Sequence, residues 1–126
     1  MSEVNNPIAQ SLFKNHLHLF TDKGDLKVQD TRRFMGLSLS QLAEAFQLSV
    51  DQVRGERMSS KVKEKLKELA GALEFVAETF GGDERKTKFW LKTPNPNFGG
   101  ATPRDLIIRG RYQKVLQFIL AAKRNY

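Results

Sequence analysis

The chain has 126 residues, with 21 lysines and arginines, 14 aspartates and glutamates and no cysteine, which gives a net charge of +7. A chain of this length forms one domain, or two very small ones that share a core. The absence of cysteine excludes disulfides, thiolate zinc sites, iron–sulfur clusters and cysteine nucleophiles. No apolar stretch reaches the ~18–20 residues needed to cross a bilayer and no signal peptide is recognisable, so we expect a cytoplasmic protein without a membrane partner.

The positive charge is unevenly distributed along the chain. Residues 1–82 carry eleven basic and eleven acidic side chains, so the whole excess lies in the last 44 residues. A basic balance indicates nucleic acid as a partner, but it is equally typical of a plain solvated surface. Charge alone leaves both interpretations open.

The N-terminal part of the sequence predicts two helices. Asn6 and Pro7 supply an N-cap and a proline at the first helical position, and apolar residues at helical spacing extend this helix to Phe20. A second helix is predicted over residues 30–35 and ends at Gly36.

Two capping boxes follow in close succession. Ser38 with Gln41, and Ser49 with Gln52, each mark the start of a helix. Two short helices joined by a tight turn are typical of a helix-turn-helix, in which the N-terminal side chains of the second helix face the major groove of DNA. The predicted DNA-binding residues are Ser49, Asp51, Gln52, Arg54 and Arg57.

This region also departs from the usual helix-turn-helix pattern. Gln47 lies where the turn usually has glycine, and a left-handed conformation costs a non-glycine residue roughly 1 kcal/mol. Gly55 is expected to end the second helix early. Residues 29–58 hold four basic and four acidic side chains, so they lack the excess positive charge that drives phosphate binding. A helical corner with no DNA role is therefore the alternative interpretation.

Residues 60–80 form the longest predicted helix. Its apolar residues alternate spacings of four and three for nearly three heptads, which is the pattern of a coiled-coil seam. The seam consists of Val62, Leu66, Leu69, Leu73, Val76 and Phe80. We expect it to be buried inside the subunit or between two subunits, and the pattern favours a homodimer.

The C-terminal part predicts shorter helices around a rigid loop. Asp83 caps a helix that runs through Leu91, and residues 93–100 contain two prolines and two glycines that exclude α-helix. Thr102 and Pro103 then restart the helix as N-cap and first helical residue. The last helix is amphipathic, and its predicted buried stripe is Tyr112, Val115, Leu116, Ile119 and Leu120.

No residue pattern points to catalysis or to a metal. His16 and His18 are two residues apart, so on a helix they would face different directions and make a poor metal pair. Gly99 and Gly100 lack the lysine and the strand–helix context of a phosphate-binding loop. We predict no catalytic residue, no metal ligand and no cofactor.

The most distinctive sequence lies between residues 90 and 107. It consists of WLKTPNPNFGG and, after one alanine, TPRDLI, and Gly110-Arg111 and Val115-Leu116 continue it. These residues resemble the signature of the Xre/MbcA/ParS type of bacterial antitoxins. The predicted helix-turn-helix and the long helix occupy the expected positions upstream, so that the resemblance covers roughly residues 30–120.

The resemblance implies the antitoxin of a type II toxin–antitoxin pair. Such an antitoxin neutralises a RES-domain toxin that degrades NAD or transfers from it, and the complex represses its own operator. The C-terminal part is then the toxin-binding domain. The predicted toxin-binding residues are Trp90, Pro94, Asn95, Pro96, Phe98, Arg104, Arg111, Lys123, Arg124 and Tyr126. The last three belong to a basic tail that we expect to project from the fold and to reach the active site of the toxin.

The sequence thus predicts an all-α protein: a helix-turn-helix bundle joined by a long helix to a small helical toxin-binding domain. The expected divisions are an N-terminal helix and linker over 1–28, the helix-turn-helix region with the long helix over 29–80, and the toxin-binding domain over 81–126. The predicted partners are a cognate RES-domain toxin, operator DNA and a second copy of the chain. A stand-alone transcription regulator and an interaction module that binds neither DNA nor a toxin are the alternatives, and no pattern supports an enzyme.

Overall fold

The computed structural model describes residues 15–54 and 57–125, and these residues form an all-α fold. Within them there is no β-strand, only one isolated antiparallel bridge between Phe20 and Leu26. The helices are α1 (Val28–Met35), α2 (Leu39–Phe46), α3 (Val50–Arg54), α4 (Ser60–Thr79), α5 (Glu84–Leu91), α6 (Pro103–Ile108) and α7 (Tyr112–Arg124). The predicted fold class is confirmed. None of these helices is long and apolar enough to span a membrane.

The segment that precedes α1 differs from the prediction. Residues 1–14, which hold most of the predicted first helix, lie outside the described residues. Residues 15–20 are not helical, so the prediction that this helix reaches Phe20 is wrong. Asn15 explains the turn, because its side-chain amide donates to the Phe20 carbonyl at 2.8 Å and its Oδ1 accepts from the Phe20 amide at 3.2 Å. The turn places Leu17 and Leu19 in the core.

The predicted starts of α2 and α3 and the turn that ends α2 are confirmed. In the first capping box the Ser38 amide donates to Gln41 Oε1 at 2.9 Å, and the Gln41 amide donates to Ser38 Oγ at 3.0 Å. The second box repeats this arrangement between Ser49 and Gln52, at 2.8 Å and 3.2 Å. Gln47 has φ 57° and ψ 47°, the left-handed conformation that the sequence predicted for the turn between the two helices.

Helix α4 lies at the centre of the core. Its seam residues Leu66, Leu69 and Leu73 are fully buried within the single subunit, packed with apolar residues of the neighbouring helices. The helix contacts α1, α5 and α7. The first of the two expected arrangements, burial inside the subunit, therefore holds for these three leucines, and the homodimer stays a prediction.

Residues from the early and late parts of the described chain share this core. One cluster of buried apolar residues extends from Leu17 to Ile119. Phe46 of α2 contacts Tyr112 of α7, with ring centroids 5.0 Å apart. The division into three regions at residues 28 and 80 stays a prediction, and the core crosses both of its boundaries.

Helix α7 confirms most of its predicted stripe. Tyr112, Val115, Leu116 and Ile119 are buried, whereas Leu120 is 41% exposed. The prediction for Leu120 is wrong because this residue lies along a surface groove between α7 and α4. The α4 side of the groove includes the small residues Gly71 and Ala72, which do not cover it.

Candidate partner-binding site

The loop after α5 is closed by its own hydrogen bonds. The Asn95 amide donates to the Ala101 carbonyl at 3.0 Å, and the Gly100 amide donates back to the Asn95 carbonyl at 3.0 Å. The Asn95 side-chain oxygen also accepts from the Asn97 amide at 2.9 Å. The loop is not α-helical, as predicted, but it contains one 3-10 turn over Pro96–Phe98 that the sequence did not predict.

Several motif residues therefore hold the shape of this loop. The Asn95 side chain is engaged within the loop, and Phe98 packs edge-on against Phe118 of α7, with ring centroids 5.2 Å apart. Pro94 and Pro96 are exposed and remain available to a partner. Gly99 has φ 67°, a left-handed conformation at the end of the 3-10 turn that glycine adopts without strain.

Arg104 connects α6 to the end of α1. Its Nε donates to the Met35 carbonyl at 3.1 Å and its Nη2 donates to the Gly36 carbonyl at 2.6 Å. Carbonyls at a helix C-terminus lack hydrogen-bond donors within the helix and carry partial negative charge. A guanidinium supplies both the hydrogen-bond donors and a positive charge. Thr102 and Pro103 begin α6 as predicted, and the Asp105 amide donates to Thr102 Oγ1 at 2.9 Å. The contacts of Arg104 indicate a structural role in addition to the predicted toxin contact.

Three aromatic residues form a concave apolar surface on and beside α5. Phe80, Phe89 and Trp90 line it, and we call this surface the aromatic hollow. Phe89 is 73% exposed, more than any other large apolar side chain among the described residues. Trp90 is half-buried. The hollow is bordered by the side chains of Asp83, Arg85, Lys86 and Thr93.

Phe89 was not among the predicted toxin-binding residues, although its neighbour Trp90 was. The signal that could have identified it is the helical pattern of α5. Thr87 and Leu91 are buried, and position 89 lies halfway between them on the opposite side of the helix. An apolar residue opposite the buried stripe faces solvent.

Two of the three predicted toxin-binding residues at the C-terminus belong to the last helix. Helix α7 continues through Arg124, so Lys123 and Arg124 are helical residues, and the expectation that the basic tail reaches the active site of the toxin stays a prediction. Lys123 is half-buried, and its Nζ lies 5.5 Å from the centroid of the Phe75 ring. Arg111 and Arg124 are exposed, and Tyr126 lies outside the described residues.

The predicted DNA-binding residues occupy the surface of α3 and the residues that flank it. Ser49, Asp51, Gln52, Arg54 and Arg57 are all exposed. The capping box engages the Ser49 hydroxyl and the Gln52 Oε1, and leaves the side-chain Nε2 of Gln52 outside the box. Buried Val53 anchors the helix on the core, and its carbonyl accepts a hydrogen bond from Gln29 Nε2 at 2.8 Å. Helix α3 is described over Val50–Arg54, and Gly55, where it was predicted to end, lies outside the described residues.

A buried carboxylate that the sequence analysis did not single out fixes the segment before α1. Glu74 of α4 is 3% exposed, and the Leu17 amide donates to its two oxygens at 3.0 Å and 3.2 Å. Burial raises the pKa of Glu74 above its ordinary value of 4.5, while backbone amides of the loop act in the opposite direction. Glu74 is 57 residues from Leu17, so no local pattern could reveal the contact. Among the residues that the structure describes, no three potential metal ligands lie together.

These features define an all-helical protein with a rigid proline-rich loop and an exposed aromatic hollow in its C-terminal part. Residues 76–116 match the family model described as the antitoxin Xre/MbcA/ParS C-terminal toxin-binding domain. This match confirms the resemblance to the family that the motif from Trp90 predicted. No curated protein and no solved structure matches the chain.

The matched segment has a definite place in the fold. It begins at Val76 within α4 and contains α5, the loop, α6 and the start of α7. It includes the whole aromatic hollow. Its presence supports an antitoxin role with a toxin as partner, and the family is not a class of enzymes. Lys123, Arg124 and the predicted DNA-binding residues lie outside the match.

Proposed function

We propose that this chain is the antitoxin of a type II toxin–antitoxin pair, that it sterically blocks a RES-domain, NAD-consuming toxin, and that it represses its own operon. The observation that carries the proposal is the match of residues 76–116 to a toxin-binding domain family. The rigid loop and the exposed hollow within that segment add a preformed surface on which a partner can dock.

The proposed inhibition needs no chemistry from the antitoxin. A domain seated over the entrance to the NAD pocket excludes the dinucleotide by occupying its path. We assign this occlusion to the folded surface around α5 and the loop, because α7 holds Lys123 against Phe75.

Co-expression with the product of the neighbouring reading frame tests the toxin partnership. We expect the two chains to co-purify, and we expect the antitoxin to stop NAD consumption by the purified toxin at a fixed stoichiometric ratio. A chain truncated after Leu120 should inhibit as well as the full chain if the folded surface is responsible. Lost inhibition with retained binding would assign the blockage to the C-terminal residues instead.

For operator binding, we propose that α2 and α3 act as a helix-turn-helix. The region itself is electrically neutral, but the turn between α6 and α7 adds positive charge beside it. A Cβ placed on Gly110 would lie 3.4 Å from the Ala45 carbonyl of α2, so the flanking Arg109 and Arg111 lie close to the end of α2. Both arginines are exposed and can contribute to the attraction of phosphates.

A titration of the upstream promoter fragment against scrambled DNA tests this assignment. If Arg54 contacts a base edge, Arg54→Ala should cost about 1–3 kcal/mol for the operator alone. If Arg109 contacts only phosphate, Arg109→Ala should weaken both DNAs equally and reduce the salt dependence. Symmetric half-sites in the operator would indicate that the protein binds as a dimer. Equal affinity of the wild-type chain for both DNAs would contradict specific repression, and operator binding without toxin binding would favour a stand-alone regulator.

A further inference from the structure

We infer that the aromatic hollow is the docking site for the toxin, and that it receives an apolar side chain of the toxin flanked by acidic residues. The inference rests on the proposed function and specifies where the toxin binds and by which chemistry. It starts from Phe89, whose ring is 73% exposed beside the partly buried rings of Phe80 and Trp90. Aromatic side chains clustered around a concavity are typical anchors of protein interfaces.

The charges at the border of the hollow determine the chemistry of the occupant. Arg85 and Lys86 are exposed, and neither forms an ion pair within the described residues. The nearby carboxylates have other partners, because Asp83 accepts from the Lys86 backbone amide at 3.0 Å and Glu84 pairs with Lys88 at 3.1 Å. Two positive side chains against the single carboxylate of Asp83 leave the border of the apolar hollow with a net positive charge, which complements an apolar side chain with acidic neighbours.

The hollow is also held rigidly, which lowers the entropy cost of docking. Thr87 and Leu91 anchor α5 in the core, and the Thr87 hydroxyl donates to the Asp83 carbonyl at 2.9 Å. Lys88 packs over the Phe34 ring, with its Nζ 5.5 Å from the ring centroid. Phe89 is therefore presented from a helix that is fixed on its opposite face.

A second copy of the chain fits the hollow less well than a toxin does. A symmetric contact brings the same surface patch of both subunits together. It would place Arg85 and Lys86 near their own counterparts, with only one carboxylate per subunit at the border, that of Asp83, to offset the two positive charges. The position of the hollow inside the toxin-binding match also favours the toxin as occupant.

The test compares Phe89→Ala with Leu120→Ala. Both residues are exposed large apolar side chains, but Leu120 lies on α7, outside the matched segment. The probe is the purified product of the neighbouring reading frame, with binding measured by calorimetry. We expect Phe89→Ala to weaken binding roughly 30-fold or more, as for an interface hot spot, and Leu120→Ala to leave it within about threefold.

Charge reversal tests the predicted chemistry of the occupant. Arg85→Glu and Lys86→Glu should each weaken toxin binding, and more strongly at low salt than at high salt. Because all of these side chains are exposed, thermal unfolding should show that the variants fold like the wild-type chain.

The outcomes separate this inference from the proposed function. If the wild-type chain fails to bind the probe, the proposed function fails and the inference fails with it. If the wild-type chain binds and Phe89→Ala binds equally well, only the inference is overturned. A change in oligomeric state on Phe89→Ala, with toxin affinity unchanged, would assign the hollow to self-association and would also overturn it.

Discussion

Replacement of Glu74 should separate the role of a buried acceptor from the role of a buried charge. In Glu74→Ala the Leu17 amide loses both carboxylate oxygens that it contacts at 3.0 Å and 3.2 Å. An unsatisfied buried donor costs about 1–3 kcal/mol. For a domain of this size each kcal/mol lowers the Tm by roughly 3–6 °C. We therefore expect a clear loss of thermal stability in the alanine variant.

Glu74→Gln should behave differently because glutamine keeps an acceptor oxygen and removes the charge. Burial raises the pKa of Glu74, so the folded chain holds this proton more strongly than the unfolded chain does. The free energy of unfolding should then fall as the pH rises from 4.5, the ordinary value, through the raised pKa. The glutamine variant lacks this slope, and at neutral pH it should be at least as stable as the wild-type chain.

Urea unfolding of the wild-type, alanine and glutamine chains across the pH range from about 4 to 8 measures both effects. Glu64→Gln on the exposed part of α4 is the matched control, and it should leave the wild-type slope unchanged. Equal destabilisation by alanine and glutamine would refute the acceptor argument. A wild-type slope of opposite sign, relative to the glutamine variant, would refute the argument from burial.

Three further predictions concern the fold. Leu69→Ala should cost about 2–5 kcal/mol in urea unfolding, because Leu69 is fully buried, and a smaller loss would mean that the site collapses around the cavity. Gln47→Gly should stabilise the chain by up to about 1 kcal/mol, since the residue has φ 57°, and a drop in Tm would show that the Gln47 side chain contributes a compensating contact. Arg104→Ala should cost about 1–3 kcal/mol, because it removes the donors to the Met35 and Gly36 carbonyls. The Arg104 effect should appear in thermal unfolding of the free protein, and an unchanged Tm with lost toxin binding would make it a contact residue only.

The sequence predicted those features that depend on local chemistry. The capping boxes at Ser38 and Ser49, the end of α1 at Gly36 and the left-handed Gln47 all follow from interactions within a few residues. The long helix was predicted within a residue of its ends for the same reason. The family motif was recognisable because its prolines and asparagines shape a loop that few other sequences form.

Features that depend on tertiary packing could not be predicted in this way. The heptad pattern of α4 identified buried leucines but not the surface that covers them, and the subunit itself covers Leu66, Leu69 and Leu73. Arg104 contacts a carbonyl 69 residues away, so its structural role leaves no trace in the local sequence. The exposure of Phe89 depends on α5 docking through its opposite face.

The shared core also determines what proteolytic cleavage would do to the folded protein. The segment that matches the toxin-binding family begins at Val76, yet α7 packs on α4, and the buried Leu66, Leu69 and Leu73 of α4 come earlier in the chain. A protease that cuts within α4 would remove one wall of the core and leave the apolar face of α7 in water. The surfaces assigned to the toxin and to the operator would then be lost in one cooperative step. A single cleavage would thus release the toxin and the promoter together.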